Sequence, residues 1–262
     1  MKFIINSKNI IDYLKSKPEN VEFEVCFEDI NCRTQKDMSI TYEALKDMDS
    51  NEYLKYKNNK IIFQKSIIDK YESFYLVRKK LDNEYNFLIQ MIRDTYAIGN
   101  FKRVKVTTAL ARPLVIDCIY NFTSTITIGL NKVLIDTKGN YNIEDISSKV
   151  RKYLNDYGNQ LLSKAITAKK NFSSLKKAVK SEIQEFNDYR DTYFAHSDKS
   201  AMINVENIDE TKALKIFEEC LKYCVFLINL IDDEEISNDK LKEELNVAKL
   251  YSNYFSSQFI RK

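Results

Sequence analysis

The sequence predicts a mainly α-helical protein with a small α+β region at its N-terminal end. Three observations predict it. Helix breakers are scarce, four glycines and two prolines in 262 residues, while Lys, Glu, Leu and Ile are abundant. From residue 64 onward, apolar side chains recur every three to four positions, which is the period of an amphipathic helix. Before that, Val21-Glu22-Phe23-Glu24-Val25-Cys26-Phe27-Glu28 alternates apolar and acidic residues, which is the period of a half-buried strand.

Taken in order, Ile10, Ile11 and Leu14 predict a short helix ending near Pro18. The strand over 21–28 follows, then a helix over 41–56. Ile61-Ile62-Phe63 is a second strand able to pair with the first. Residues 1–64 thus form an accessory α+β region, read as a core-covering or dimer-forming extension, or as a docking surface. A long helix runs from Gln64 to about Ile98 through Ile68, Tyr71, Tyr75, Leu81, Leu88, Ile92 and Tyr96, and Gly99-Asn100 is a natural stop.

The next helix spans about 102–135 through Leu110, Leu114, Ile119 and Ile126. Pro113 can bend it, and Arg112 and Asp117 read as an internal ion pair, as outward-facing positions or as second-layer support for a site. A turn at 137–140 leads to a helix starting at Asn142. Residues 164–180 carry six lysines and no acid, directly before a helix whose stripe is Leu175, Val179, Ile183 and Phe186. The bundle, residues 65–235, closes with a helix over 209–231 capped by Asp209. Residues 236–262 hold a C-terminal amphipathic helix.

Composition limits the chemistry. Formal net charge is +3, so only local clusters can attract nucleic acid. Five cysteines, an odd number inside apolar or strand-like runs, fit buried, reduced thiols in a cytoplasm. With one histidine and no Cys-x-x-Cys pair, neither a metal site nor a cofactor is expected. Residues 1–6 lack the apolar core of a signal peptide. The most apolar window, 114–135, contains Asp117, Asn121, Asn131 and Lys132, so a buried helix is expected there and no membrane span.

The one histidine sits in Tyr189-Arg190-Asp191-Thr192-Tyr193-Phe194-Ala195-His196-Ser197-Asp198-Lys199. Any acid–base step that needs an imidazole must use His196 or borrow it from a second copy. Arg190 lies six positions upstream, on the continuation of the stripe through Ile183, where a cation needs a partner or a task. A guanidinium fork fits phosphate oxygens. An imidazole to move the 2′-hydroxyl proton and a guanidinium to stabilise the phosphorane suffice to cleave RNA without a metal. Six residues of regular helix turn through about 240 degrees. The pair therefore shares a face only if the helix ends before His196 or if two copies meet across a two-fold axis. Tyr189, Tyr193 and His196 lie on one side and suit such a seam.

Arg190 to His196 resembles the R-x(4–6)-H signature of HEPN domains in its five-spacer form, with a polar residue after the arginine. The surrounding residues are similar to the AbiU-type branch associated with abortive infection. The resemblance covers about residues 65–232. It implies a HEPN-like helical bundle, a homodimer and a metal-independent endoribonuclease acting as a toxin or phage-defence effector, with a cognate antitoxin or defence partner. It implies catalytic roles for Arg190 and His196, orientation by Asp191 and Tyr193, and products ending in a 2′,3′-cyclic phosphate and a 5′-hydroxyl. The HepT-like branch has tyrosine two places after the histidine; Asp198 stands here, so AMPylation at that position is not implied.

Lys169, Lys170, Lys176 and Lys177 are the candidate RNA-binding residues, against the simpler reading of a solvated helix face. The alternative to the nuclease is a non-catalytic HEPN-like scaffold. Arg93-Asp94-Thr95-Tyr96 repeats Arg190-Asp191-Thr192-Tyr193 with no histidine after it and is read as a coincidence of helix-end chemistry.

Overall fold

A computed structural model describes residues 7–103, 111–135, 142–157, 161–178, 180–189, 209–232 and 236–258. Among these, the chain is mainly helical with one small antiparallel sheet. Helix α1 (Ser7–Lys15) buries Ile10, Ile11 and Leu14. Helix α2 (Gln35–Ser50) starts in a capping box: the Thr34 side chain accepts from the Asp37 N–H and the Asp37 carboxylate accepts from the Thr34 N–H.

The sheet is smaller than the alternation predicts. Strand β1 is only Phe23–Glu24 and pairs with β3 (Lys60–Ile62), Phe23 opposite Ile61. The strand ends early because the Cys26 N–H is taken by the Tyr13 hydroxyl, and the chain then turns back on Phe27. The pairing of the 61–63 segment with β1 is met at Ile61 only, with Ile62 opposite Lys55 instead; the helix over 41–56 was not correctly placed. It begins and ends earlier, and Lys55–Lys57 forms β2 against β3. Asn58 and Asn59, with φ of 52° and 63°, make the two-residue turn that matches hairpin twist. On the outer edge of β2, the Tyr56 N–H donates to Asp49 Oδ1 at 3.0 Å, which blunts that edge.

Helix α3 (Lys65–Arg103) is the axis of the fold, about 58 Å long at 1.5 Å per residue. Its first turns place Ile68, Tyr71, Phe74 and Tyr75 in the N-terminal core with Leu14, Leu45, Met48 and Ile61. Later turns place Leu81, Leu88, Ile92 and Ile98 in the main core with Ile126, Val150, Phe217, Leu221 and Leu227. Tyr153 and Ile231 pack against both. The helix does not stop at Gly99-Asn100. Phe101, 1% exposed, is held between Phe122 and Phe255, and Asn100 donates to Asn253 at 2.9 Å. This packing carries the helix past its weak point. The Arg93-Asp94-Thr95-Tyr96 echo is therefore mid-helix, not helix-end, chemistry: Thr95 bonds back to the Met91 carbonyl and Arg93 lies over the Tyr251 ring.

Around α3 pack α4 (Ala111–Leu134), α5 (Ile143–Asp156), α8 (Glu210–Ile231) and α9 (Asn238–Ser257), with α6 (Leu162–Ala178) and α7 (Lys180–Tyr189) beside them. Asn142, Asp209 and Ser237 cap α5, α8 and α9. Asp117 of α4 faces solvent; the pairing expected for Arg112 and the turn at 137–140 lie outside the described residues. Of the α6–α7 stripe, Ile183 is buried, and the side chains of Leu175, Val179 and Phe186 lie outside them. Cys32, Cys220 and Cys224 are buried as expected, but Cys26 is exposed and Cys118 partly so. Cys26 is exposed because β1 ends before it. No helix among the described residues is long and apolar enough to cross a membrane.

Candidate nucleic-acid interface

Helix α5 is strongly amphipathic. Ile146, Val150 and Leu154 are buried, which turns Arg151 toward the neighbouring helix. Helix α6 is pinned alongside by Ala165 and Phe172. The Phe172 ring stacks on Tyr223 of α8, with centroids 4.6 Å apart and planes 7° apart. The Tyr223 hydroxyl is in turn hydrogen-bonded to Ser147 of α5 at 2.7 Å. One aromatic pair and one hydrogen bond thus fix how α6 lies on α5.

The exposed seam between the two helices is a groove of about 470 Å³ lined by Arg151, Ile166, Lys169, Lys170, Ser173, Ser174 and Lys177. Lys170, Ser173, Ser174 and Lys177 follow the i, i+3, i+4, i+7 row of one helix face. Four cations converge without a carboxylate among the lining residues. None of the four has an ion pair among the described residues, and Arg151 Nε is buried with no hydrogen-bond partner there. A buried donor without an acceptor costs free energy. An anion entering the groove supplies the acceptor, and hydroxyls from Ser173 and Ser174 stand alongside.

The lysine run does not act as one block. Lys169, Lys170 and Lys177 line the groove, while Lys176 turns to the other side and pairs with Glu144 at 3.1 Å. Arg151 was not singled out from the sequence, because nothing local shows that its turn of α5 faces the lysine row of α6. Arg190, Asp191, Tyr193 and His196 lie outside the described residues, as does the seam expected at Tyr189, Tyr193 and His196. The last described residue before them is Tyr189 at the end of α7.

Two further polar features lie inside the bundle. Glu84 of α3 is fully buried, and neither carboxyl oxygen has a hydrogen-bond partner among the described residues. Burial pushes its carboxyl up to about 9. It lies beside Cys220 and Cys224, whose thiols burial also pushes up, which disfavours the thiolate form. Asp94 is raised to about 6, by burial first, against a hydrogen bond from Gln90 that lowers it. Among the described residues, no group of three His, Cys, Asp or Glu side chains is placed to hold a metal ion.

Comparison with known proteins finds no matching family model, no matching curated protein and no matching solved structure.

Proposed function

We propose that this chain is a metal-independent endoribonuclease of the HEPN kind, in which the α5–α6 groove holds the RNA backbone and Arg190 with His196 cuts it. The observation that carries the reading is the set of four cations, Arg151, Lys169, Lys170 and Lys177, that line one groove with no ion pair among the described residues. Phosphate contacts of this kind supply affinity and register without reading sequence. His196 moves the 2′-hydroxyl proton, Arg190 stabilises the charge on phosphorus, and Asp191 and Tyr193 orient them. A homodimer, a cognate antitoxin or defence partner, and a role as toxin or phage-defence effector follow from the same resemblance.

The test is purified protein with total RNA in EDTA, followed by analysis of product ends. The expected products carry a 2′,3′-cyclic phosphate and a 5′-hydroxyl, and His196→Ala lowers the rate about a hundred- to ten-thousandfold. Arg190→Lys keeps the charge, loses the fork and fails as well. Cleavage that survives His196→Ala removes the reading. A non-catalytic scaffold is the second reading, favoured by the exposed apolar row on α9. RNA binding without cleavage decides for it.

A further inference from the structure

Helix α9 presents two faces of opposite kind. Leu241, Ala248, Ser252 and Ser256 are buried against the bundle, and Phe255 closes on Phe101 and Phe122. The opposite face carries Val247 at 55% exposure, Leu250 at 66%, Tyr251 at 53% and Tyr254 at 68%. These four form an i, i+3, i+4, i+7 row, the pattern of a helix side made for burial. They are four of the ten large hydrophobics that the described residues leave exposed, and the other six are spread over the rest of the chain. Residues 245–258 contain a single charge, Lys249, and Arg93 of α3 lies over one side of the Tyr251 ring at the edge of the row. Such a surface, poor in charge and rich in tyrosine, has the composition of an interface core.

We infer that this row is the contact between two copies of the chain, packed as antiparallel α9 helices about a two-fold axis between Leu250 and Tyr251. The order of side chains selects that occupant and that direction. Antiparallel pairing sets Val247 against Tyr254 of the second copy, and Leu250 against its Tyr251. Each aliphatic side chain then meets a ring, and each tyrosine hydroxyl reaches the wet edge. Parallel pairing stacks the bulky positions on each other and leaves the aliphatic pair underfilled.

Size agrees with this. At the exposures given, the four side chains offer at most roughly 500 Å² per copy, so about 1,000 Å² for the pair when fully covered, which reaches the lower bound for a specific interface once the rim is added. Exposed Asn246, Lys249, Asn253 and Ser257 add a polar rim. The helix dipoles oppose each other, and an isologous contact closes at two copies. This places the two-fold contact of the chain at α9 and not at the Tyr189, Tyr193 and His196 seam expected from the sequence, and it does not rest on the nuclease reading.

Light scattering of the full chain at tens of micromolar tests it. The expected mass is twice 30.9 kDa, and Leu250→Glu with Tyr254→Glu halves it. Both side chains face solvent, so the variant keeps the circular dichroism of the parent. A monomeric parent overturns the proposal. So does a double variant that still dimerises, including the case in which Tyr189→Glu is the change that separates the copies.

Discussion

Arg78 Nε donates to the Asp232 carboxylate at 2.8 Å, joining the early part of α3 to the C-cap of α8 across 154 residues. The Asp232 side chain is 1% exposed, and Arg78 supplies a counter-charge to it. A second arm of the guanidinium reaches Asp82 one turn along α3. Burial raises the Asp82 carboxyl even though Arg78 beside it pulls it down. Removing the cation takes one charged partner away from a buried carboxylate. Arg78→Met is expected to lower stability by about 3–5 kcal/mol, and Arg78→Met with Asp232→Leu to recover most of that. Urea unfolding of both variants checks it; losses that simply add show that the two side chains do not act as a pair.

Gly129 of α4 lies directly against Phe87 and Met91 of α3. A Cβ built there sits 2.3 Å from Met91 Sδ, with Met91 Cγ and Phe87 close behind. Alanine is the better helix former by about 1 kcal/mol, yet the overlap makes the Met91 thioether shift within a filled core, and repacking there costs about 1–3 kcal/mol. Gly129→Ala is expected to be neutral to destabilising despite its propensity. A clear rise in melting temperature shows that Met91 moves aside freely.

Glu84 sets a pH dependence with a definite sign. Its folded carboxyl is raised to about 9 from an unfolded value of 4.5, so between those limits the folded chain holds a proton that the unfolded chain releases. Stability attributable to this group is full below the unfolded value and falls as pH rises through the window. At about 1.36 kcal/mol per unit, the loss reaches roughly 3 kcal/mol by pH 7. Glu84→Met is expected to flatten the stability–pH curve over that range and to raise stability at neutral pH. Parallel curves for parent and variant mean that Glu84 is ionised in the folded chain.

The starts of α5 and α8 were legible because Asn142 and Asp209 are cap residues set directly before periodic apolar runs. Glu84 was not singled out, although it is a charge between Leu81 and Leu88 on one helix stripe. The hairpin was missed because its signal is the pair of positive-φ asparagines, 58 and 59, inside a segment that also suits a helix. Gly99 failed as a stop because the force that overrides it comes from Phe122 and Phe255, which are distant in sequence. Within the lysine run, Lys176 and Lys177 look alike. One residue of helix turns through about 100 degrees, enough to give the first to Glu144 and the second to the groove. The Arg190 to His196 pair is legible in the sequence alone, since it lies outside the described residues.

That division of the lysines yields a graded test of the groove. On single-stranded RNA, each phosphate contact contributes about 0.7 to the slope of log affinity against log salt. Lys169→Gln, Lys170→Gln and Lys177→Gln are each expected to weaken binding and to flatten the slope by about that amount. Arg151→Gln should do the same, because its Nε has no acceptor among the described residues. Lys176→Gln is the internal control: it breaks the pair with Glu144, an exposed contact whose loss costs about 0–1 kcal/mol of stability, and leaves the slope unchanged. Fluorescence anisotropy with a labelled oligonucleotide over a salt series reads all five. If Lys176→Gln flattens the slope as much as Lys177→Gln, the binding is diffuse attraction to a charged helix. The groove then loses its place in the proposed function, whatever the fate of His196.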